Sequence, residues 1–177
     1  MSIAPPQIVF EGKFSRAICQ NPHQSRLLVA FDHRSFSRES FAPVTPWKLA
    51  INREYSQLNV QVRDNDYYLN DDLPALCKAL RRFTKPFAQV CGIGFSMGGF
   101  GALLLSKALR LDHVVLVSPQ RLDFPNQSPF AVDLAQEAEV FTAGQEPRFA
   151  GIASRMRGVV LYDPMSGAVG IGPMLGC

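Results

Sequence analysis

A serine between two glycines is the feature of this sequence best suited to chemistry. Ser96 lies in Gly94-Phe95-Ser96-Met97-Gly98, after an apolar run that ends at Ile93 and before a helix-forming run that begins at Ala102. This is the G-x-S-x-G pattern in a strand, turn and helix setting. A serine at so sharp a turn adopts a strained backbone, and only glycine fits two residues before and after it. The pattern predicts a Ser96 hydroxyl that projects from a sheet beside the unpaired amides of a helix N-terminus.

A serine hydroxyl is a weak nucleophile at neutral pH and needs a base, which a carboxylate orients. Asp163 follows the apolar run 158–162 and is the predicted acid, with a turn-forming role ahead of a proline as its alternative. Asp123 is the alternative acid. Of three histidines, only His33 follows a predicted strand, so it is the candidate for a substitute base. An ordinary hydrogen-bonding role in a loop is the competing interpretation of His33.

Two other interpretations of the glycine-rich turn stay open. Gly92 and Gly94 have the spacing of a dinucleotide fingerprint, but the third glycine of that fingerprint would fall at position 97, which is methionine. The turn could also belong to another α/β fold without a nucleophile. Phe95, beside the serine, is expected either in a pocket wall or in the core.

The elements that must position Ser96 follow from hydrophobic periodicity. Alternating or continuous apolar runs predict strands, and a 3.6-residue period with caps at 70–72 predicts a helix over 73–83. Short apolar runs before position 20 predict a hairpin of edge strands. Pro46 predicts the start of a short helix with Trp47, Leu49, Ala50 and Ile51 inward. The expected strands cover 7–10, 17–19, 26–31, 58–62, 87–93, 113–117 and 158–162. This order predicts an α/β three-layer sandwich with a mostly parallel central sheet.

Composition excludes several classes of function. The chain has 177 residues, 47% of them hydrophobic, which fits one globular domain over 1–177 with a small cap at 121–157. No apolar run is long enough to span a membrane and no signal peptide is recognisable, which predicts a cytoplasmic protein. The net charge of +3 is scattered, so no nucleic-acid partner is expected. The four cysteines lack metal spacing and are expected as reduced thiols, with no metal and no cofactor.

The elbow at Ser96, with Asp163 after a later strand, resembles the α/β-hydrolase superfamily. The segments 65–68, 71–74, 96–103 and 118–120 are similar to those of bacterial hydrolase-fold proteins. The resemblance implies a serine hydrolase of the esterase or thioesterase type, a small-molecule acyl substrate and the Met97 amide as an oxyanion donor. It also places residues 32–37 where the family has its oxyanion loop. This chain lacks the glycine-rich H-G-G-G form there.

The sequence departs from that family after Asp163. The family's histidine comes after the acid, and no histidine follows Asp163 here, so the C-terminal part of the fold is expected to be incomplete. A last strand without neighbours would leave an apolar edge, which predicts self-association into a homo-oligomer. A non-catalytic hydrolase-fold binding protein is therefore the alternative to an active enzyme.

Overall fold

One mixed sheet organises the part of the chain that the computed structural model describes, residues 5–35, 40–119 and 156–161. Its seven strands run in the order β1-β2-β4-β3-β5-β6-β7. β1 and β2 form an antiparallel hairpin, and β2 is also antiparallel to β4. All neighbours from β4 to β7 are parallel. The strands are β1 Gln7–Glu11, β2 Ser15–Gln20, β3 Arg26–Phe31, β4 Tyr55–Val62, β5 Gln89–Phe95, β6 His113–Val117 and β7 Arg157–Leu161.

Helices cover both faces of this sheet. The helix α3 (Met97–Leu109) packs on β5 and also contacts β3 and β6, and α2 (Leu73–Phe83) lies against α3, β1 and β2. The short helix α1 (Lys48–Asn52) packs on β4. Leu58 of β4 lies in the core with residues of α2 and α3, whereas the amide of Gln57, on the other face, bonds the backbone of Thr45 and Trp47. The predicted α/β sandwich with a mostly parallel sheet is confirmed.

The hydrophobic core lies between the central strands and the α2–α3 pair. The α3 helix is apolar nearly all round, and this fits its position, because the sheet lies below it and α2 lies beside it. Each fully buried leucine or phenylalanine side chain contributes about 1.5–3 kcal/mol through removal of apolar surface from water. The large, fully buried apolar side chains include Leu27, Leu58, Leu76, Leu80, Phe100, Leu105 and Leu109.

Two local predictions are wrong. In α1, Leu49 and Ile51 are 58% and 44% exposed rather than inward, because a helix of five residues presents only Ala50 to the sheet. Asp72, predicted as a cap of α2, makes no side-chain cap bond. Its carboxylate instead accepts hydrogen bonds from the backbone N–H groups of Phe14 and Ser15, at 2.6 and 2.9 Å, and so attaches the β1–β2 hairpin to α2.

β7 is the last strand of the sheet among the described residues. Its side chains Val159 and Leu161 are 55% and 52% exposed. Self-association through this exposed apolar strand stays a prediction. The predicted cap lies outside the described residues, except that its last two positions, Met156 and Arg157, are described and Arg157 begins β7. No helix within the described segments has the length and apolar character needed to cross a membrane.

Candidate active site

Ser96 occupies the turn between β5 and α3 with a backbone conformation that L-residues rarely adopt. Its φ is 50° and its ψ is −120°. Such a conformation costs on the order of 1–3 kcal/mol and persists only where the surrounding structure imposes it. The Ser96 N–H donates a hydrogen bond to the Val117 carbonyl of β6 (2.9 Å), and the Ser96 carbonyl accepts from Gly99 N–H at 2.9 Å. The predicted strand, turn and helix arrangement at Ser96 is therefore present.

The glycines on either side of Ser96 are required by close backbone contacts. A Cβ on Gly94 would lie 2.6 Å from the Gly98 carbonyl carbon and 2.8 Å from the Gly99 Cα. A Cβ on Gly98 would lie 2.8 Å from the carbonyl oxygen of Asp32 and 2.9 Å from that of Phe31. All four distances are shorter than real Cβ contacts, so neither position tolerates a side chain without movement of the backbone. The first turn of α3 is thus pressed against the ends of β5 and β3.

The start of α3 provides amides beside the serine hydroxyl. Ser96 is the N-cap residue of α3, yet its side chain makes no capping hydrogen bond. A serine at an N-cap normally uses its hydroxyl for that bond. The amides of Met97 and Gly98 precede that of Gly99 in the first turn, and N–H groups at these positions have no acceptor within the helix. No acidic residue lies in this turn, so no side-chain charge there offsets the positive end of the helix dipole.

His33 lies at the same edge of the sheet as Ser96. It follows β3, which is parallel and adjacent to β5, and it comes directly after Asp32, whose carbonyl oxygen faces Gly98. The His33 side chain is exposed. His113 begins β6 opposite Cys91, near the amino end of β5, and His23 precedes β3. Of the chain's three histidines, therefore, only His33 is at the carboxyl edge.

The β4–α2 loop, residues 63–72, contacts the segment that contains His33. The Asn65 carboxamide accepts a hydrogen bond from Ser35 N–H (3.1 Å) and donates one to the Ser35 carbonyl oxygen (2.8 Å). The Tyr68 hydroxyl donates to the carbonyl oxygen of Asp32 at 2.9 Å. The Tyr68 ring also lies against Gly101 of α3, where a Cβ would be 2.6 Å from Cδ2 of the ring. The sequence pointed to residues 65–68 through the family resemblance and gave Tyr68 no role, because its contacts come from distant parts of the chain.

Burial makes the three described cysteines poor nucleophiles. Burial raises the pKa of the Cys19 thiol to about 12. Burial also raises the pKa of Cys77 and Cys91, so none of these thiols is activated as a thiolate. In the β4–α2 loop, desolvation raises the pKa of Asp66 although hydrogen bonds from Asn70 and Tyr68 oppose the shift. Within the described ranges, no cluster of three or more histidine, cysteine or acidic residues has the arrangement of a metal site.

The remaining predicted site residues are placed as follows. Asp163 and Asp123 lie outside the described residues, so their roles as acid and alternative acid stay predictions. Phe95 ends β5 directly before the serine and is 43% exposed, so it belongs to the surface around Ser96 rather than to the core. Met97 is fully buried, so its side chain lies in the core, and its amide belongs to the first turn of α3.

Known structures share this fold at low sequence identity. The chain matches the glycosylation-associated protein Gap123 complex of Streptococcus agalactiae with a TM-score of 0.60 and 11% identity, over 89% of this chain and 36% of that one. The capsule O-acetyltransferase of Neisseria meningitidis serogroup A matches with a TM-score of 0.49 and 16% identity, over 82% and 63%. Acetyl xylan esterase 1 of Thermoanaerobacterium matches with a TM-score of 0.46 and 16% identity, over 84% of this chain and 62% of that one.

This chain thus spans less than two thirds of each of these neighbours. The match to the Gap123 complex, at a TM-score of 0.60, shows a common fold and does not by itself assign an activity. No protein-family model matches the chain, and no curated protein sequence matches it.

The close packing at Gly98 leads to a stability prediction. We expect Gly98→Ala to lower the free energy of unfolding by about 1–3 kcal/mol, because the new methyl group would meet two backbone carbonyls that cannot rotate away. Gly92→Ala is the matched control. Its methyl group would meet the flexible end of Leu111 at 3.1 Å, and the expected change is below about 1 kcal/mol. Urea denaturation measures both, and equal effects would contradict the packing argument.

Proposed function

We propose that this protein is a serine hydrolase of the α/β-hydrolase type that performs nucleophilic acyl transfer from small ester or thioester substrates, with Ser96 as the nucleophile. The observation that supports this most strongly is the strained Ser96 backbone between two glycines that accept no Cβ. A conformation that costs free energy and frees a hydroxyl from its usual capping bond is expected at a catalytic turn. A turn that served only to connect β5 to α3 would not need it.

The chemical step uses the hydroxyl and the helix amides together. Ser96 Oγ attacks the acyl carbon, a new C–O bond forms, and the hydroxyl proton passes to a base. The carbonyl oxygen becomes an oxyanion that the Met97 N–H stabilises at the start of α3. Collapse of this intermediate breaks the bond to the alcohol or thiol, which leaves with a proton returned by the base. Water or another hydroxyl then takes the acyl group from Ser96 by the same steps in reverse.

His33 is our candidate for the base. It is the histidine at the Ser96 edge of the sheet, and the segment that carries it begins where Asp32 faces Gly98. A neutral imidazole can accept the hydroxyl proton because one of its ring nitrogens carries a free lone pair. We assign the role of the acid that orients this ring to Asp163, with Asp123 as the alternative.

The nucleophile is tested by covalent labelling. A fluorophosphonate probe is expected to modify wild-type protein at Ser96, because such probes react with activated serines, and labelling is expected to disappear in Ser96→Ala. Ser118→Ala is the matched control, since Ser118 is an exposed serine at the end of the adjacent strand β6. Mass spectrometry of the labelled peptide identifies the site. Folded wild-type protein without label at Ser96 would instead support the non-catalytic binding protein.

The base is tested by the rate of the same labelling. We expect His33→Ala to lower the labelling rate at neutral pH by roughly a hundredfold or more, because the hydroxyl loses its proton acceptor. His113→Ala serves as the control and is expected to leave the rate unchanged. His113 lies at the amino ends of the parallel strands, away from Ser96 at their carboxyl ends. An unchanged rate in a folded His33→Ala protein would remove His33 from the mechanism.

A further inference from the structure

We propose that Asn65 is a positioning residue that holds the backbone around His33 against the Ser96 turn. This inference rests on the proposed function of Ser96. It assigns a role to a side chain outside the two segments that carry Ser96 and His33, which follow β5 and β3. The relevant segment is residues 32–35, called here the β3 loop, which leaves the sheet directly beside the first turn of α3.

The β3 loop is attached at both ends to the β4–α2 loop. At its start, the Asp32 carbonyl oxygen accepts the Tyr68 hydroxyl at 2.9 Å. At its end, the carboxamide of Asn65 bonds both the N–H and the carbonyl oxygen of Ser35. A primary amide can make this paired contact because it carries a donor and an acceptor side by side. His33 and Arg34 therefore lie between two fixed points.

The first of these attachments also connects the β3 loop to the catalytic turn. The Tyr68 ring lies against Gly101 of α3, while its hydroxyl reaches Asp32, whose carbonyl oxygen faces Gly98. Tyr67 packs edge to face on Phe100 of α3, with ring centroids 5.8 Å apart. The β4–α2 loop thus contacts both the helix that follows Ser96 and the loop that carries His33. Movement of the β4–α2 loop would change the distance between them.

The β4–α2 loop has an unusual backbone conformation that local hydrogen bonds hold in place. Tyr67 and Tyr68 are consecutive and have φ values of 55° and 64°, a conformation that costs free energy in residues other than glycine. Both side chains are buried, at 1% and 0% exposure. The Asp66 carboxylate fixes the turn by accepting the Tyr68 N–H at 2.8 Å and the Asn70 side-chain N–H at 2.6 Å. A turn held this firmly gives Asn65 a defined position from which to hold Ser35.

The test compares the labelling rate of Ser96 with the exchange rate of the Ser35 amide. In Asn65→Ala we expect the Ser35 amide to exchange faster with solvent, because its acceptor is lost, and labelling to slow by roughly tenfold to a hundredfold. Asn59→Ala is the matched control, an asparagine of β4 whose side chain accepts a hydrogen bond from the Gln57 carboxamide instead. We expect it to lower the thermal midpoint without slowing the labelling of folded protein.

Asn65→Asp supplies a readout that general destabilisation would not produce. An ionised carboxylate cannot donate to the Ser35 carbonyl, whereas a protonated carboxyl donates and accepts as the amide does. The ratio of variant to wild-type labelling rates should therefore rise toward one as pH falls from about 8 to about 4. Dividing by the wild-type rate removes the pH dependence that the two proteins share.

Each outcome decides a different claim. A faster Ser35 exchange with unchanged labelling in Asn65→Ala would overturn the positioning role, as would a ratio for Asn65→Asp that does not depend on pH. Unchanged Ser35 exchange in Asn65→Ala would also overturn it. Wild-type protein that leaves Ser96 unlabelled would contradict the proposed function itself, and Ser35 exchange would then decide alone whether Asn65 holds the β3 loop.

Discussion

The close approach of the first turn of α3 to the ends of β5 and β3 is the constraint on which the rest of the structure depends. Gly94 has no space for a Cβ because the Gly98 backbone lies against it, and Gly98 has none because of the Asp32 carbonyl. Ser96 must therefore turn within one residue, in a conformation that costs on the order of 1–3 kcal/mol. Burial of Phe100 and Leu105 in α3 contributes about 1.5–3 kcal/mol for each side chain and offsets that cost.

The same constraint determines the chemistry that the turn can support. The Ser96 hydroxyl makes no capping hydrogen bond to the first-turn amides of α3. The hydroxyl and these amides are therefore not used up by a bond to each other. Parallel strands place the ends of β3 and β5 at one edge, so the segment carrying His33 begins beside the turn. The β4–α2 loop adds a third element, through Tyr68 on Asp32 and Asn65 on Ser35. The hydroxyl and the amides are neighbours in sequence, whereas packing of Gly98 against Asp32 places the segment that carries the candidate base beside the turn.

Local sequence was sufficient for the strands and for the turn at Ser96, and insufficient for the contacts that support them. The strands 26–31 and 113–117 were predicted with their observed bounds because continuous apolar runs have clear ends. The hydrogen bonds that Asp72 accepts from Phe14 and Ser15 were not predictable, since a cap on α2 would account equally well for an aspartate at that position. Nor was the left-handed backbone at Tyr67, because tertiary packing overrides the preference of a bulky residue.

The central claim is that Ser96 accepts an acyl group, and trapping that intermediate tests it most directly. Protein mixed with p-nitrophenyl acetate and quenched rapidly in acid can be digested, and the peptide containing Ser96 analysed by mass spectrometry. The mechanism predicts a burst of p-nitrophenol and an acetyl group on Ser96, both absent from Ser96→Ala. An acetyl group on another residue, or turnover without any acetylated peptide and without loss in Ser96→Ala, would contradict it.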